Sequence, residues 1–461
     1  MQILIIIALV IIGILLFELI IFSHEFGHFI TAKKSGVKVN EFSLGMGPKI
    51  FGFKKGETEY SLRLLPLGGF CAMEGEDEES SEPRAFNNAK IWKRMIIIIA
   101  GAVMNIILGF IMMLAYTVQA DNYASTTVNG FYPNSVSANC GLKVGDRITE
   151  INDYSVWNSR DLQFAMATMT CKEVDGTTLE IYRQDCASAA CNAYNSILND
   201  NEDIDDSTNS KLYEILTDGC TNINSASSKD AAYSIYKKTG EDIFAEYYKG
   251  KKSFEPENIE EKNTRLRYTS DLKVIRDGEE VELKDVQFFT YYQSEEDEQE
   301  GKTSLSFDFV VTQIDKTFGS VISQTVSNTC SVAKMVWTSL VWLVQGRFSF
   351  TDLSGPVGIA TAVTQVASIG LETSFLSAFN NILFVMIMIT INLGIFNMLP
   401  FPALDGGRFL FLLIEGIFRK PIPRRVEQVV NSVGFALLMV FMVVVTFKDI
   451  WQLITGTMPG M

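Results

Sequence analysis

Two histidines are all that the 461-residue chain contains, and both fall in the stretch His24-Glu25-Phe26-Gly27-His28. Residues four apart share one face of a helix, so the two imidazoles can grip a single ion. A His-Glu-x-x-His turn binds zinc through both rings, and its glutamate activates the water at the metal. The spacing is also compatible with two histidines satisfied by ordinary hydrogen bonds. A catalytic zinc site takes three protein ligands and keeps one position open. With no third histidine, the remaining ligand has to be a carboxylate or a thiolate from elsewhere in the chain.

The element that must carry this motif is apolar. Residues 3–22 read ILIIIALVIIGILLFELIIF, about 20 residues and long enough to span a bilayer. The run has neither the basic n-region nor the small-residue cleavage site of a signal peptide. HEFGH follows without a linker, which predicts one continuous helix and a metal at membrane depth. Glu18 interrupts the run seven residues before Glu25, on the same face. An intramembrane carboxylate is either functional or a protonated, hydrogen-bonded core residue.

Composition combines 47% hydrophobic residues with 20% charged ones, which predicts separate membrane and soluble parts. Hydropathy marks four spans, near 3–22, 95–118, 376–399 and 427–447. Lys33 and Lys34, then Lys90, Trp92, Lys93 and Arg94, and finally Arg419, Lys420, Arg424 and Arg425 flank them. Positive charge marks the cytosolic side, so both termini and residues 120–375 are expected outside. The net charge of −15 comes largely from that outer region, including the runs 201–206 and 295–300, and argues against a nucleic-acid partner. Of seven cysteines, Cys71 is expected in the cytosol. Cys140, Cys171, Cys186, Cys191, Cys220 and Cys330 are expected outside, where disulfides stapling residues 140–220 are plausible.

Between the spans, Lys49–Phe53 and Thr58–Leu64 flank a turn at Gly56 and read as a hairpin. With the following Leu65-Pro-Leu-Gly-Gly-Phe70 it can form a re-entrant loop whose edge holds an unwound substrate by strand addition. Gly101 and Asn105 in the second span read as packing contacts. Residues 135–152, with Gly141-Leu-x-x-Gly-Asp146, resemble a bacterial PDZ domain. The polar residues 186–268 read as an insertion, after which Asp277-Gly278 turns a second hairpin. Residues 319–346 read as an amphipathic helix on the outer surface.

The third ligand emerges from Asn397-Met-Leu-Pro-Phe-Pro-Ala-Leu-Asp-Gly-Gly-Arg408. Pro400 and Pro402 break the helix, and Gly406 and Gly407 permit sharp turns. Asp405 then sits at the cytosolic edge, the depth at which HEFGH leaves the first span. An N-cap aspartate would read the same way in isolation; two histidines lacking a partner favour the ligand.

Together these residues resemble the site-2 proteases, intramembrane zinc metalloproteases, in the PDZ-bearing bacterial branch of the regulator of sigma-E protease type. His24–His28 and Asn397–Gly406 match its two motifs, and Leu353-Ser-Gly-Pro-Val-Gly358 and the glycine-rich loop are similar too. The likeness covers about 1–185 and 270–461; residues 186–268 have no counterpart, and one PDZ domain stands where some relatives have two. The resemblance implies Zn2+ on His24, His28 and Asp405, Glu25 as general base, and Asn397 contacting substrate or the developing oxyanion. It also implies single-span substrates already trimmed by another protease, such as anti-sigma factors or signal-peptide remnants, cleaved in a bacterial inner membrane in regulated intramembrane proteolysis. The alternative is a non-catalytic membrane adaptor using its PDZ domain.

The expected architecture is therefore a polytopic α-helical membrane protein with four transmembrane helices, a re-entrant β-hairpin loop and an extracytoplasmic α+β PDZ domain. Its expected segments are a first helix with the zinc motif (1–36), a β loop (37–90) and a second helix (91–120). A PDZ domain with insertion (121–290) and a linker with an amphipathic helix (291–375) follow. The third helix with Leu-Asp-Gly (376–410) and a last segment with the fourth helix (411–461) complete the chain.

Overall fold

The computed structural model describes residues 2–76, 80–167, 169–200, 204–259, 263–291, 304–347, 353–420 and 422–455. The acidic run expected at 295–300 and part of the run at 201–206 lie outside them. The chain forms two units, one from residues 1–121 with 316–461, the other from residues 122–315.

In the first unit, helix α1 (Gln2–Ser35) carries the expected span and HEFGH as one uninterrupted helix. It ends because Gly36 takes φ +84°, letting the Val37 amide reach back to Ala32 O at 2.9 Å. Helices α2 (Ile91–Thr117), α9 (Phe375–Asn397) and α11 (Arg424–Thr455) complete the set long and apolar enough to cross a membrane. Glycines let α1, α2 and α9 approach closely. A Cβ on Gly27 would stand 2.3 Å from Ala100 O, and one on Gly394 3.0 Å from Ala102 O. Ile20, Met113, Val332, Ile382 and Ile391 fill the space between the helices.

Two features depart from expectation. The stretch expected as a surface helix forms α7 (Phe318–Val344) and packs into this helical core through Val332. Its buried face is also polar, with Thr325, Asn328, Thr329 and Ser331, whereas Ile322, Val326 and Trp337 are exposed. Counting interrupting polar residues cannot reveal which face they occupy. The expected linker also contains a further helix, α8 (Pro356–Thr373), whose first amides at Gly355 and Gly358 donate to Asp449 of α11 at 2.9 and 2.8 Å.

Strands β1 (Val39–Lys55) and β2 (Thr58–Met73) turn at Gly56 as expected and run well beyond the expected ends. Residues 41–44 pair with both 59–62 and 69–72, so the ribbon curls on itself. Phe22, Phe26 and Phe29 on α1 stack along the helix and meet Phe42 and Tyr60 edge-on or tilted, seating the ribbon on the zinc-motif helix.

The second unit is an antiparallel sheet in the order β10-β3-β4-β7-β8-β9. Its strands are β3 (Asn122–Phe131), β4 (Arg147–Ile151), β7 (Thr264–Arg276), β8 (Glu279–Tyr291), β9 (Ser304–Ser306) and β10 (Phe309–Asp315). Short β5 (Tyr154–Ser155) pairs with β4, β6 (Thr170–Asp175) pairs with β7, and helix α3 spans Ser159–Ala167. Asp277 and Gly278, at φ +53° and +89°, make the anticipated β7–β8 turn. Asp146 of the Gly-Asp pair is fully buried and binds Arg276 at 2.7 Å.

Helices α4 (Leu179–Asp200), α5 (Asp206–Asn224) and α6 (Lys229–Tyr248) form the insertion. It starts before the expected boundary at 186 and ends before 268, because residues 264–268 belong to β7. Its helices close around their own core, including Ile197, Leu212, Leu216 and Tyr236. That core does the work expected of disulfides, and all seven cysteines are free thiols.

Candidate metal centre

Helix α1 brings His24 and His28 to one buried face, one turn apart. Their Nε2 atoms stand 3.2 Å from each other. The third group comes from the turn after α9. Ala403 takes φ +73°, Leu404 caps helix α10 (Asp405–Phe418), and Asp405 is its first residue rather than its cap. Gly406 and Gly407 permit this turn, since a Cβ on either would lie within 2.3 Å of the backbone at Leu399 or Phe401. Asp405 Oδ2 lies 3.1 Å from His24 Nε2 and 3.3 Å from His28 Nε2.

This triangle fits zinc. Ligand atoms 2.0–2.1 Å from a tetrahedral ion stand about 3.3 Å apart, close to the separations of 3.1, 3.2 and 3.3 Å found here. Asp405 Oδ2 is otherwise a buried oxygen without a hydrogen-bond partner, as an atom reserved for a cation would be. Among the described residues these three are the group that could hold a metal. The other candidates stand apart from it. Glu18 is buried on α1, its two oxygens without hydrogen-bond partners. Cys71 is buried on β2, and burial, with the carboxylates of Glu25 and Glu76 nearby, pushes its thiol up, away from the thiolate that binds metal.

Glu25 lies on the same turn of α1, half-buried, against the ribbon. A Cβ on Gly69 of β2 would stand 3.4 Å from Glu25 Cγ, so the strand backbone passes directly beside this carboxylate. Asn397, the last residue of α9, points its amide nitrogen to 3.5 Å from His24 Nε2. His24, His28, Asp405 and Asn397 therefore converge on one place, with Glu25 on the adjoining α1 backbone.

Helix α2, whose Gly101 and Asn105 are spaced for packing, also lines the site. Ile97 O meets His28 Nδ1 at 2.8 Å, Asn105 Nδ2 meets His24 Nδ1 at 3.4 Å, and Gly101 lies between them. A Cβ on Gly101 would sit 2.4 Å from His28 Nε2 and 2.7 Å from His24 Cε1, so only glycine leaves room for the rings. Residues 97, 101 and 105 form one stripe of α2. The available signal was a Gly-x-x-x-Asn at the same depth as HEFGH.

Helix α10 is held from both sides. Arg408 pairs with Glu76 at 2.5 Å, and Arg94 of α2 pairs with Glu415 at 3.2 Å. These four charges line a cavity of 540 Å³ beside the ligand turn.

The chain as a whole is similar to known proteins. The profile of Peptidase family M50 matches residues 12–441. The Zinc metalloprotease RasP of Bacillus licheniformis is 31% identical over 95% of this chain and 98% of its own. The Regulator of sigma-W protease RasP of Bacillus subtilis is 30% identical over 95% and 97%.

Proposed function

The chain belongs to peptidase family M50 and is an intramembrane zinc metalloprotease, and from that premise we propose that it hydrolyses peptide bonds within the transmembrane segments of single-span proteins in regulated intramembrane proteolysis. The observation that carries this reading is the triangle of His24, His28 and Asp405 with Glu25 on the same turn of an apolar helix. The name of the Bacillus subtilis relative, which refers to sigma-W, supports a membrane-bound anti-sigma factor as one substrate class.

His24, His28 and Asp405 would hold Zn2+, which would supply the Lewis acidity that makes water a nucleophile near neutral pH and polarises a carbonyl. Glu25 takes the proton from the attacking water and returns it to the leaving amine. Asn397, beside His24 Nε2, donates its amide to the substrate carbonyl as negative charge develops. A substrate helix hides its peptide bonds in its own ladder, so it must be held extended; the β2 backbone beside Glu25 is suited to that by strand addition.

The basic residues after α1, before α2 and between α10 and α11 support a cytosolic placement of the ribbon and a multi-pass topology in a bacterial inner membrane. Residues 122–315 are then extracytoplasmic. The β3, β4, α3 and β7–β8 elements, with the buried Asp146 in the Gly-Asp turn, support a PDZ-type reading of that unit.

Glu25→Gln tests the chemistry. The purified variant should keep its zinc and its fold and lose cleavage of a reporter whose transmembrane segment contains helix-destabilising residues. Cleavage above trace level in that variant would end the assignment of Glu25 and of this mechanism.

A further inference from the structure

The geometry points to Asn105 as the positioning residue for His24: its side-chain oxygen accepts the Nδ1 proton and holds the ring with Nε2 toward the metal. This inference rests on the zinc site described above.

Both Nε2 atoms face Asp405 Oδ2, so both rings must present their lone pairs there. A neutral imidazole that donates a lone pair from Nε2 carries its proton on Nδ1 and needs an acceptor for it. His28 has one, because Ile97 O lies 2.8 Å from its Nδ1. His24 Nδ1 meets only the amide of Asn105 among the hydrogen bonds described, with Nδ2 at 3.4 Å. In that orientation two donors would face each other. Asn105 is fully buried, and its Oδ1 has no hydrogen-bond partner. Rotating the amide by half a turn exchanges its isosteric ends. His24 then gains an acceptor and the orphaned oxygen gains a donor.

The backbone around Asn105 is fixed as a positioning role requires. Thr390 of α9 donates its hydroxyl to Asn105 O at 3.2 Å, locking α2 to α9 at this level. One turn earlier, Gly101 brings α2 against both rings. Thus α2 orients both histidines, one by a carbonyl and one by a side chain, without contributing a ligand. Partners of this outer kind fix the tautomer and the aim of the ring.

The test uses the full-length, detergent-solubilised protein. Zinc affinity is measured by competition with a chromophoric chelator for the wild type and for Asn105→Ala, Asn105→Leu and Asn105→Asp. Removing the acceptor should weaken zinc binding by roughly 10–100-fold in the alanine and leucine variants. Asn105→Asp keeps an acceptor and should bind zinc within a few-fold of wild type. Because the chain has only two histidines, 15N-histidine spectra report each ring separately. The zinc-loaded wild type should show both rings protonated at Nδ1, and Asn105→Ala should disturb His24 alone. Wild-type affinity in a folded alanine or leucine variant, or equal loss in the aspartate variant, would overturn the inference. A wild type that takes up no stoichiometric zinc would overturn the site itself, and this inference with it.

Discussion

At the residue scale, the centre is built from groups that each do one thing. The histidines and Asp405 converge from α1 and the start of α10, and Glu25 stands one position from His24. Asp405→Ala should therefore abolish stoichiometric zinc in the purified protein, whereas substitution of the exposed Asp121 should leave it unchanged. Equal zinc content in wild type and Asp405→Ala would transfer the third ligand to another group, with Glu18 and Cys71 the first to examine. His24, Glu25 and His28 were legible from local spacing, because residues four apart meet on any helix. Asp405 was reachable because histidine scarcity left a vacancy at one depth. Asn105 and Gly101 were not assigned to the site, because their position depends on how α2 crosses α1.

At the scale of elements, the ligand-bearing turn is propped by α11. Asn431 Oδ1 accepts from the Ala403 amide at 3.3 Å, and a Cβ on Gly434 would stand 2.4 Å from Pro402 Cβ. Phe401 and Pro402 line a small apolar cavity with Val430 and Leu437 of the same helix. Gly434→Val should push the turn away from α1. A displacement of about 1 Å at a reacting centre can cost on the order of 100-fold in rate. Cleavage should fall by about that much in this variant, although Gly434 touches neither metal nor substrate. Undiminished cleavage by a folded Gly434→Val protein would show that the turn holds its position without α11. The sequence marked α11 as a span but carried no sign of this contact, since Gly434 and Pro402 lie far apart along the chain.

At the scale of the molecule, the insertion is an addition to a sheet that is already closed beneath it. Asp175 at the end of β6 and Thr264 at the start of β7 are paired neighbours, so the chain leaves and rejoins the sheet at one point. Arg265 binds Asp185 of α4 at 2.6 Å, and Asn134 donates to Ser188 at 3.2 Å, seating the helices on the sheet. Residues 176–263 can thus be replaced by a short glycine linker without breaking a strand. With this unit outside a hydrocarbon layer roughly 30 Å thick, as proposed, its influence is on which substrates approach. The deletion protein should cleave a short-tailed substrate about as fast as wild type and accept long-tailed ones more readily. Loss of short-tailed cleavage by a well-folded deletion protein would make the insertion part of the working enzyme.

What the sequence determined by itself was whatever depends on neighbours along the chain. The length of the apolar runs, the helical spacing of HEFGH and the turns at Gly56 and Asp277-Gly278 all follow from local geometry. The tertiary structure decided everything that depends on which faces meet. It turned the polar face of α7 inward, closed α4–α6 around a core in place of disulfides, and laid Ile97, Gly101 and Asn105 against the histidines. Burial of a given side is a property of packing between distant segments, and no periodicity within one segment encodes it.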